Sequence, residues 1–324
     1  MYSVREHSGK CRTRIPSTTA GETSKIDQVM KRLFSLLLLA LPALGQTPST
    51  MVVTTQWLAS RLGRPDIVIL QVGPNRKEYD RVHIPGARFL DLSQIVVNRD
   101  ELANELPPVE QLKSAFESIG IGDDTRIILY SENANLYAAR AWWTLDYLGH
   151  AGNASLLDGS IQKWQEDGRP TSTEEPPASL HATFSPRLHP EILVTMPRVA
   201  DVVGSKSTKV TLVDARPAAQ YSGEEAGENI TRPGHIPGAV NLYWVDTLES
   251  KSDPQLLPIP ELRKIFQRVG TSHRLIVYCR SGMQSSFVYF VARFLGYDAT
   301  MYDGSFLDWS NASTHPVEKG PSPH

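Results

Sequence analysis

Cys279 lies where an apolar stretch of the chain gives way to a short loop ahead of a helical pattern. A loop between a strand and a helix can curl at its glycine, turn backbone N–H groups inward and add the positive end of the helix dipole. This environment favours a thiolate over a thiol, and it would equally stabilise a persulfide anion. We therefore expect Cys279 to be a catalytic thiolate that carries sulfur as a persulfide. The loop residues expected to contact a substrate are Arg280, Ser281, Gly282, Met283, Gln284 and Ser285.

The alternative for Cys279 is an inert cysteine that merely ends a buried strand, a common position for a free cysteine. The neighbouring residues favour the reactive interpretation. Arg280 places a permanent cation beside the thiol and can bind an anion through two N–H groups, and Gly282 permits the loop to curl. The chain contains two cysteines. The other, Cys11, lies in an N-terminal segment that we expect to be removed, which leaves Cys279 without a disulfide partner in the chain.

The two halves of the chain share short motifs in the same order and with similar spacing, which indicates a duplicated domain. We expect an N-terminal domain at 51–173, a linker rich in Pro and Glu at 174–190, and a C-terminal domain at 191–318. The matching segments are 82–87 with 234–239, 126–131 with 274–279, 147–149 with 294–296, and 158–160 with 303–305.

The second half alternates strand and helix patterns. Residues 210–214, 275–278 and 300–302 are predicted as strands, 260–269 as an amphipathic helix, and 285–295 as a helix that ends at Gly296. Such alternation predicts an α/β fold of two domains, each a mostly parallel sheet with helices on both faces. Cys279 would then lie at the carboxyl ends of the strands, where sheets of this kind bind ligands.

The first half supplies an internal comparison for Cys279. At the equivalent strand end it carries Ser131 and Glu132. No histidine in that loop is available to activate the serine, and the glutamate would repel an anionic substrate. The N-terminal domain is therefore predicted to be catalytically silent and to cover one side of the cleft that holds Cys279.

The N-terminal 45 residues have the features of an export signal. Met30 starts a basic stretch, an apolar run covers 33–41, and small residues at Ala43 and Gly45 suit cleavage by a signal peptidase. Residues 1–29 are polar and without pattern, so Met30 is the better start of translation. The apolar run is short for a membrane span, although an uncleaved anchor is the alternative. We expect an exported, periplasmic protein without a membrane span in its mature part.

Composition excludes some classes of partner and cofactor. The net charge of −2 argues against nucleic acid as the main partner. The sequence lacks C-x-x-C pairs and clusters with metal-ligand spacing, so neither a metal nor any other cofactor is expected.

These motifs together resemble the rhodanese family, specifically its tandem-domain thiosulfate and 3-mercaptopyruvate sulfurtransferases. The resemblance covers most of the chain from about Met51 to Trp309, and its most specific parts are 213–216, 232–239, the loop at Cys279, and 302–305. It implies an active C-terminal domain, an inactive N-terminal domain and an active site between them. It also implies sulfur transfer from thiosulfate or 3-mercaptopyruvate to cyanide or a thiol, without a cofactor.

The resemblance also suggests which donor is used. Arg280 resembles the residue of thiosulfate enzymes, whereas mercaptopyruvate enzymes often have Gly at this position. Ser281 departs from the animal thiosulfate enzymes, which have Lys there. Arg216 and Arg232 are candidates to supply the missing positive charge. Asp214 is equally consistent with substrate contact and with an ion pair to Arg216 that holds the strand end.

Two other function classes use a cysteine in a comparable loop or fold. A cysteine-dependent phosphatase or arsenate reductase needs C-x5-R, but position 285 is Ser, so the motif does not fit. A periplasmic sulfur carrier or binding module with weak turnover is the other alternative, and the intact Cys279-Arg280 pair argues against a dead module.

Overall fold

The computed structural model describes residues 51–177, 182–205, 209–270 and 274–322. The predicted export segment at 30–45, and 178–181 of the predicted linker, lie outside the described residues. Among the helices described, none combines the length and the apolar character that crossing a membrane requires.

The first half builds a sheet of five strands in the order β1-β7-β6-β2-β3, and every neighbouring pair runs parallel. Most residues of the central strands β2 and β6 are apolar, as expected for strands covered on both faces. The strands are β1 Val52–Val53, β2 Ile67–Gly73, β3 Arg88–Asp91, β6 Arg126–Tyr130 and β7 Ala154–Leu157, and the helices are α1 Thr55–Ala59, α2 Lys77–Arg81, α3 Val109–Ser118, α4 Leu136–Tyr147 and α5 Ser160–Glu166.

The second half repeats this architecture. Its five parallel strands lie in the order β10-β9-β11-β12-β8, which is the order of the first sheet read from β3 to β1. The predicted duplication and the α/β fold with parallel sheets are thereby confirmed. The strands are β8 Leu193–Val194, β9 Val210–Asp214, β10 Val240–Asn241, β11 Arg274–Tyr278 and β12 Asp298–Tyr302, and the helices are α6 Met196–Ser205, α7 Ala218–Ser222, α8 Ile259–Phe266, α9 Met283–Phe294 and α10 Ser305–Asn311.

Two helix boundaries differ from their predicted positions. The predicted helix at 260–269 divides into α8 and a 3-10 turn, Gln267–Val269. Helix α9 begins at Met283, two residues before its predicted start, because Gly282 completes the loop's curl in the left-handed region at φ 87°. The loop between β11 and α9 is therefore only 279–282, and Met283, Gln284 and Ser285 belong to the first turn of α9.

Helices α4 and α9, one from each domain, pack together in one apolar core that both domains share. Each is apolar around nearly its whole circumference, which is the pattern of a buried helix. Trp142 of α4 meets Phe290 of α9 edge to face, with ring centroids 5.0 Å apart. The Tyr289 hydroxyl donates to Asp146 Oδ2 across the same contact at 2.7 Å. Each fully buried aromatic or aliphatic side chain contributes about 1.5–3 kcal/mol, so this contact joins the domains firmly.

A hairpin of the first domain also reaches the second domain. Its antiparallel strands are β4 Val97–Arg99 and β5 Leu102–Glu105. Leu102 and Ala103 pack against an apolar cluster that otherwise belongs to the second domain. The hairpin thus brings residues of the first domain to the carboxyl end of the second sheet.

The repeated histidines have the same structural role in both domains. The ring of His83 stacks on Tyr79 and its Nδ1 lies 2.7 Å from the Tyr79 carbonyl oxygen. His235 stacks on Tyr221 in the same way, with Nδ1 2.9 Å from that carbonyl oxygen. Both histidines therefore hold a turn of the backbone in the same way.

Candidate active site

Cys279 directly follows β11, the central strand of the second sheet, at its carboxyl end. The side chain is 1% exposed. On one side lies β9, whose last residue, Asp214, is opposite Tyr278. On the other side lies β12, which leads into α10. The thiol therefore lies at the position where parallel sheets bind their ligands.

Serine hydroxyls hold the thiol and its backbone. Ser285 Oγ, on the first turn of α9, donates to Cys279 Sγ at 3.4 Å. The Cys279 N–H donates to Ser305 Oγ at 3.2 Å, and Ser305 in turn donates to the Tyr302 carbonyl oxygen at 2.9 Å. A hydroxyl that donates to sulfur favours its anionic form.

The carbonyl groups of the loop are turned outward to fixed donors. The N–H groups of Phe306 and Leu307, at the start of α10, donate to the carbonyl oxygens of Cys279 and Arg280 at 2.9 and 3.0 Å. Ser286 Oγ and Arg140 Nη1 donate to the Gly282 carbonyl oxygen at 2.6 and 3.4 Å.

This arrangement determines where the N–H groups point. In a trans peptide the N–H lies opposite the C=O, so the N–H groups of Arg280, Ser281 and Met283 point away from these donors. Those N–H groups find no acceptor within the described part of the chain. Unpaired N–H groups in a curled loop form an anion-binding concavity.

Arg216 and Asp214 form a second element of the site, and both side chains are completely buried. Arg216 Nη2 lies 2.6 Å from Asp214 Oδ2 and also donates to the Gly234 carbonyl oxygen. Burial alone would lower the pKa of Arg216, but Asp214, and more weakly Tyr278 and Cys279, favour the charged form and raise that pKa overall. Nη1 has no hydrogen-bond partner among the described residues. A permanent cation with one unpaired nitrogen thus lies within electrostatic range of the thiol.

Arg280, Ser281 and Arg232, three further predicted site residues, differ in their exposure and in the groups they contact. Arg280 is partly exposed and its Nη1 lies 3.0 Å from Glu228 Oε2. Ser281 is buried, and its Oγ accepts from Asn104 Nδ2 at 3.0 Å. Arg232 donates from its three nitrogens to carbonyl oxygens near the carboxyl end of α10. That guanidinium caps a helix end rather than joining the group around Cys279.

The first domain lacks the chemical groups found here. Ser131 is buried and accepts from the Ala138 N–H at 3.3 Å. By strand register Gln71 stands where the second domain has Asp214, which puts Gly73 at the position of Arg216. Burial, together with the neighbouring Glu78, raises the pKa of Glu132. The equivalent position therefore has neither a thiol nor a guanidinium.

Three residues that touch the loop or its neighbours were not predicted as site residues. Arg140 of α4 is an isolated charge in an apolar helix, a pattern that could have indicated a buried ion pair. Asn104, on the hairpin, had no sequence signal because its role depends on packing between domains. Asp303 was recognised only as part of the repeat, and it pairs with Arg140. Among the residues described, no three of His, Cys, Asp or Glu come together as a metal-binding cluster.

The chain is similar to a known family of domains and to named relatives over most of its length. A family model described as "Rhodanese-like domain" matches the chain twice, over residues 54–167 and 199–312. "Sulfur carrier protein TtuD" of Thermus thermophilus is 32% identical over 288 residues, which cover 86% of this chain and 99% of that protein. A Saccharopolyspora erythraea protein named "Putative thiosulfate sulfurtransferase" is 31% identical over 278 residues, 83% of this chain and 96% of that protein.

A solved structure is similar over a comparable length. An EanB variant with a cysteine persulfide, in complex with ergothioneine, has a TM-score of 0.73 and is 25% identical. The match covers 84% of this chain and 71% of that one.

Proposed function

The chain belongs to the rhodanese family as a tandem of two rhodanese-like domains, and we propose that it moves the outer sulfur of thiosulfate to a thiophilic acceptor. The sulfur would travel as a persulfide on Cys279. One arrangement carries the proposal: at one buried thiol the loop N–H groups are left unpaired and the Ser285 hydroxyl donates to the sulfur, with the Arg216 guanidinium within electrostatic range. The relative named as a thiosulfate sulfurtransferase and the persulfide in the EanB variant support it.

The proposed reaction has two half-reactions. The Cys279 thiolate attacks the outer sulfur of thiosulfate, a new S–S bond forms, and the S–S bond of thiosulfate breaks. Sulfite leaves with the electron pair, and Cys279 is left as a persulfide anion. Cyanide or an acceptor thiolate then attacks the terminal sulfur, takes it as thiocyanate or a persulfide, and returns the thiolate. Because sulfite leaves before the acceptor reacts, the kinetics are of the ping-pong type.

Each group at the site has a part in this sequence. The N–H groups of Arg280, Ser281 and Met283 stabilise the charge on the terminal sulfur once the persulfide forms. Arg216 Nη1 binds a sulfonate oxygen of the donor in a site with little water, where charge interactions are strong. Ser285 donates to the sulfur of Cys279 and so contributes a hydrogen bond to charge that develops there.

Arg280 would contribute a more exposed contact to the donor. Its pairing with Glu228 competes with a donor anion, and Glu228 is itself largely exposed. An exposed pair of this kind contributes up to about 1 kcal/mol, so Glu228→Gln should lower the KM for thiosulfate about two- to fivefold at low salt. An unchanged KM would show that Arg280 does not contact the donor. Parallel kinetics with thiosulfate and 3-mercaptopyruvate identify the preferred donor.

Intact-protein mass spectrometry tests the proposal directly. After incubation with thiosulfate the purified chain should gain one sulfur atom, and thiocyanate should appear when cyanide follows. Cys279→Ser should gain none. The matched control is Ser131→Ala, at the equivalent position of the silent domain, which should load sulfur as the wild type does. A chain that takes sulfur from neither thiosulfate nor 3-mercaptopyruvate would contradict the proposal.

A sulfur carrier is the second candidate function, because the chain aligns with almost the whole of the relative named as one. The two functions differ in what happens to the loaded persulfide. A sulfurtransferase returns to the free thiol within seconds of adding cyanide or a small thiol in excess. A carrier keeps its sulfur under the same conditions and releases it only to a protein acceptor.

We also propose that the chain is exported, on the basis of the basic, apolar and small-residue segments at 30–45. N-terminal sequencing of the protein from fractionated cells tests this proposal. A mature chain beginning close to position 46 in the periplasmic fraction is expected, and an intact N-terminus in the cytoplasmic fraction would contradict it.

A further inference from the structure

A buried arginine of the silent domain reaches the catalytic loop of the other domain. Arg140, on α4, is 0% exposed and its guanidinium stacks over Trp143 at 4.5 Å. Its Nη1 lies 2.5 Å from Asp303 Oδ1 and 3.4 Å from the Gly282 carbonyl oxygen. Its Nη2 donates to the Asn104 carbonyl oxygen at 2.8 Å. The guanidinium therefore connects α4, the hairpin, the catalytic loop and the end of β12.

The loop packs closely against this ion pair. A Cβ atom added to Gly282 would lie 2.7 Å from Arg140 Nη1 and 2.7 Å from Asp303 Oδ1. Side chains cannot approach that closely, so the curl at Gly282 requires both a left-handed φ and the absence of a side chain. The position of the ion pair thus sets the position of the loop.

The hairpin makes a second contact with the same loop. Asn104 Nδ2 donates to Ser281 Oγ at 3.0 Å. Two residues further on, the backbone N–H of Leu106 donates to Asp303 Oδ2 at 2.8 Å. Asn104 is held at φ 64°, a left-handed conformation that asparagine tolerates better than most residues. The hairpin therefore contacts both the loop and the carboxylate that pairs with Arg140.

Stability alone is a weak reason for this arrangement. A buried ion pair is often no more stabilising than apolar side chains of the same volume, because desolvation offsets the attraction. The more specific effect of the Arg140 guanidinium is on the orientation of a peptide group in the loop. Arg140 Nη1 and Ser286 Oγ both donate to the Gly282 carbonyl oxygen, so the Met283 N–H points the opposite way. That N–H is one of the loop N–H groups left without an acceptor.

We infer that Arg140 and Asn104, both from the catalytically silent domain, are positioning residues for the sulfur-transfer loop. Arg140, together with Ser286, fixes the peptide of Gly282 and Met283, and Asn104 fixes Ser281, so that the loop N–H groups stay available to the sulfur anion. Neither residue touches the donor or the acceptor. The inference rests on the proposed function, and it gives the silent domain a specific part in the chemistry of the other.

Two variants test the inference with a readout that a purely structural role would not move. In Arg140→Met and Asn104→Gly, kcat should fall about tenfold while the KM for thiosulfate stays within about threefold, since the loss of one or two oriented hydrogen bonds acts on the charged sulfur. The pH midpoint for alkylation of Cys279 by iodoacetamide should also move upward. Asn104→Gly keeps the left-handed backbone and removes only the side-chain donor.

The matched control is Asp100→Gly. Asp100 lies in the turn of the same hairpin, is exposed, and also has a positive φ, 51°. It should keep the wild-type kcat and the wild-type alkylation midpoint. If Arg140→Met does not fold, Asn104→Gly decides the matter alone. Wild-type values in Asn104→Gly, or equal losses in Asn104→Gly and Asp100→Gly, would overturn the inference.

The alkylation measurement separates this inference from the proposed function. It reports on the Cys279 thiol and requires no sulfur donor. If the wild-type chain accepts no sulfur, the proposed function is contradicted. If the alkylation midpoints still differ between the variants, the positioning roles of Arg140 and Asn104 are supported all the same.

Discussion

Arg216 and Asp214 form a completely buried ion pair at the carboxyl end of the strand beside Cys279, and one guanidinium nitrogen remains unpaired among the described residues. The Asp214 carboxylate orients the Arg216 guanidinium, and the unpaired nitrogen is free to donate to an anion. A buried N–H without a partner costs about 1–3 kcal/mol, and an incoming anion would recover that free energy. The pair thus combines a structural and a proposed substrate-binding role in two side chains.

Arg216→Lys tests the binding role without removing the charge that Asp214 needs. Lysine offers a single ammonium group, so it cannot both pair with Asp214 in two places and direct a further donor at a substrate. The value of kcat/KM for thiosulfate should fall about 10- to 100-fold, which corresponds to one charge-assisted hydrogen bond. Steady-state kinetics measure this. The exposed Arg198→Lys on α6 is the control, and an equal effect in both variants would contradict the role of Arg216.

Ser285→Ala removes the hydroxyl that donates to Cys279 Sγ. The bond is long, and its loss should cost about 1 kcal/mol, or about a fivefold decrease in the rate of sulfur loading. Stopped-flow kinetics of persulfide formation provide the measurement. The control is Ser310→Ala, a buried serine of the same domain whose hydroxyl donates to the Leu307 carbonyl oxygen. A loading rate unchanged by Ser285→Ala would show that the thiolate does not depend on this hydroxyl.

A cysteine placed at the equivalent strand end of the first domain should stay free of sulfur. Ser131→Cys, combined with Cys279→Ser, puts a thiol at the equivalent strand end, but Gly73 stands there in place of an arginine. The loop of that domain is also longer, and both Ala134 and Asn135 have a positive φ. Intact-protein mass spectrometry after thiosulfate treatment should find no added sulfur. Added sulfur on this variant would show that a thiol at the strand end accepts sulfur without the neighbouring arginine and the short loop.

Glu105 should make stability depend on pH. Burial raises the pKa of this carboxyl from 4.5 to about 7, and the neighbouring Asp303 raises it further while Arg140 and Arg99 lower it. Asp308 also acts to raise it. The folded chain therefore holds the proton more tightly than the unfolded chain. The contribution of Glu105 to stability is fully present below pH 4.5 and is lost as pH rises through about 7.

Urea unfolding of wild type and Glu105→Gln at about pH 5 and about pH 8 measures that contribution. Relative to the variant, the wild type should lose stability between the two pH values. Glu101→Gln, an exposed change on the same hairpin, is the control and should follow the wild type. A constant difference between Glu105→Gln and wild type would contradict the raised pKa.

The sequence was sufficient for the features that depend on local pattern. The repeated motifs predicted two similar domains, and the apolar run before Cys279 predicted a strand that ends at the thiol. Arg140 and Asn104 were missed because their partners, Gly282 and Ser281, are distant in the chain and belong to the other domain. Contacts of this kind follow from how two domains pack, and no periodicity in either segment encodes them. The early start of α9 depended on the backbone conformation of Gly282.

The shared core has a consequence for the smallest part of the chain that can be handled alone. Because Trp142 packs on Phe290 across the boundary, a half-molecule made of 191–318 alone would expose a broad apolar surface to water and would be prone to aggregate. The domain that carries Cys279 therefore depends on its neighbour for solubility as well as for the contacts to its loop.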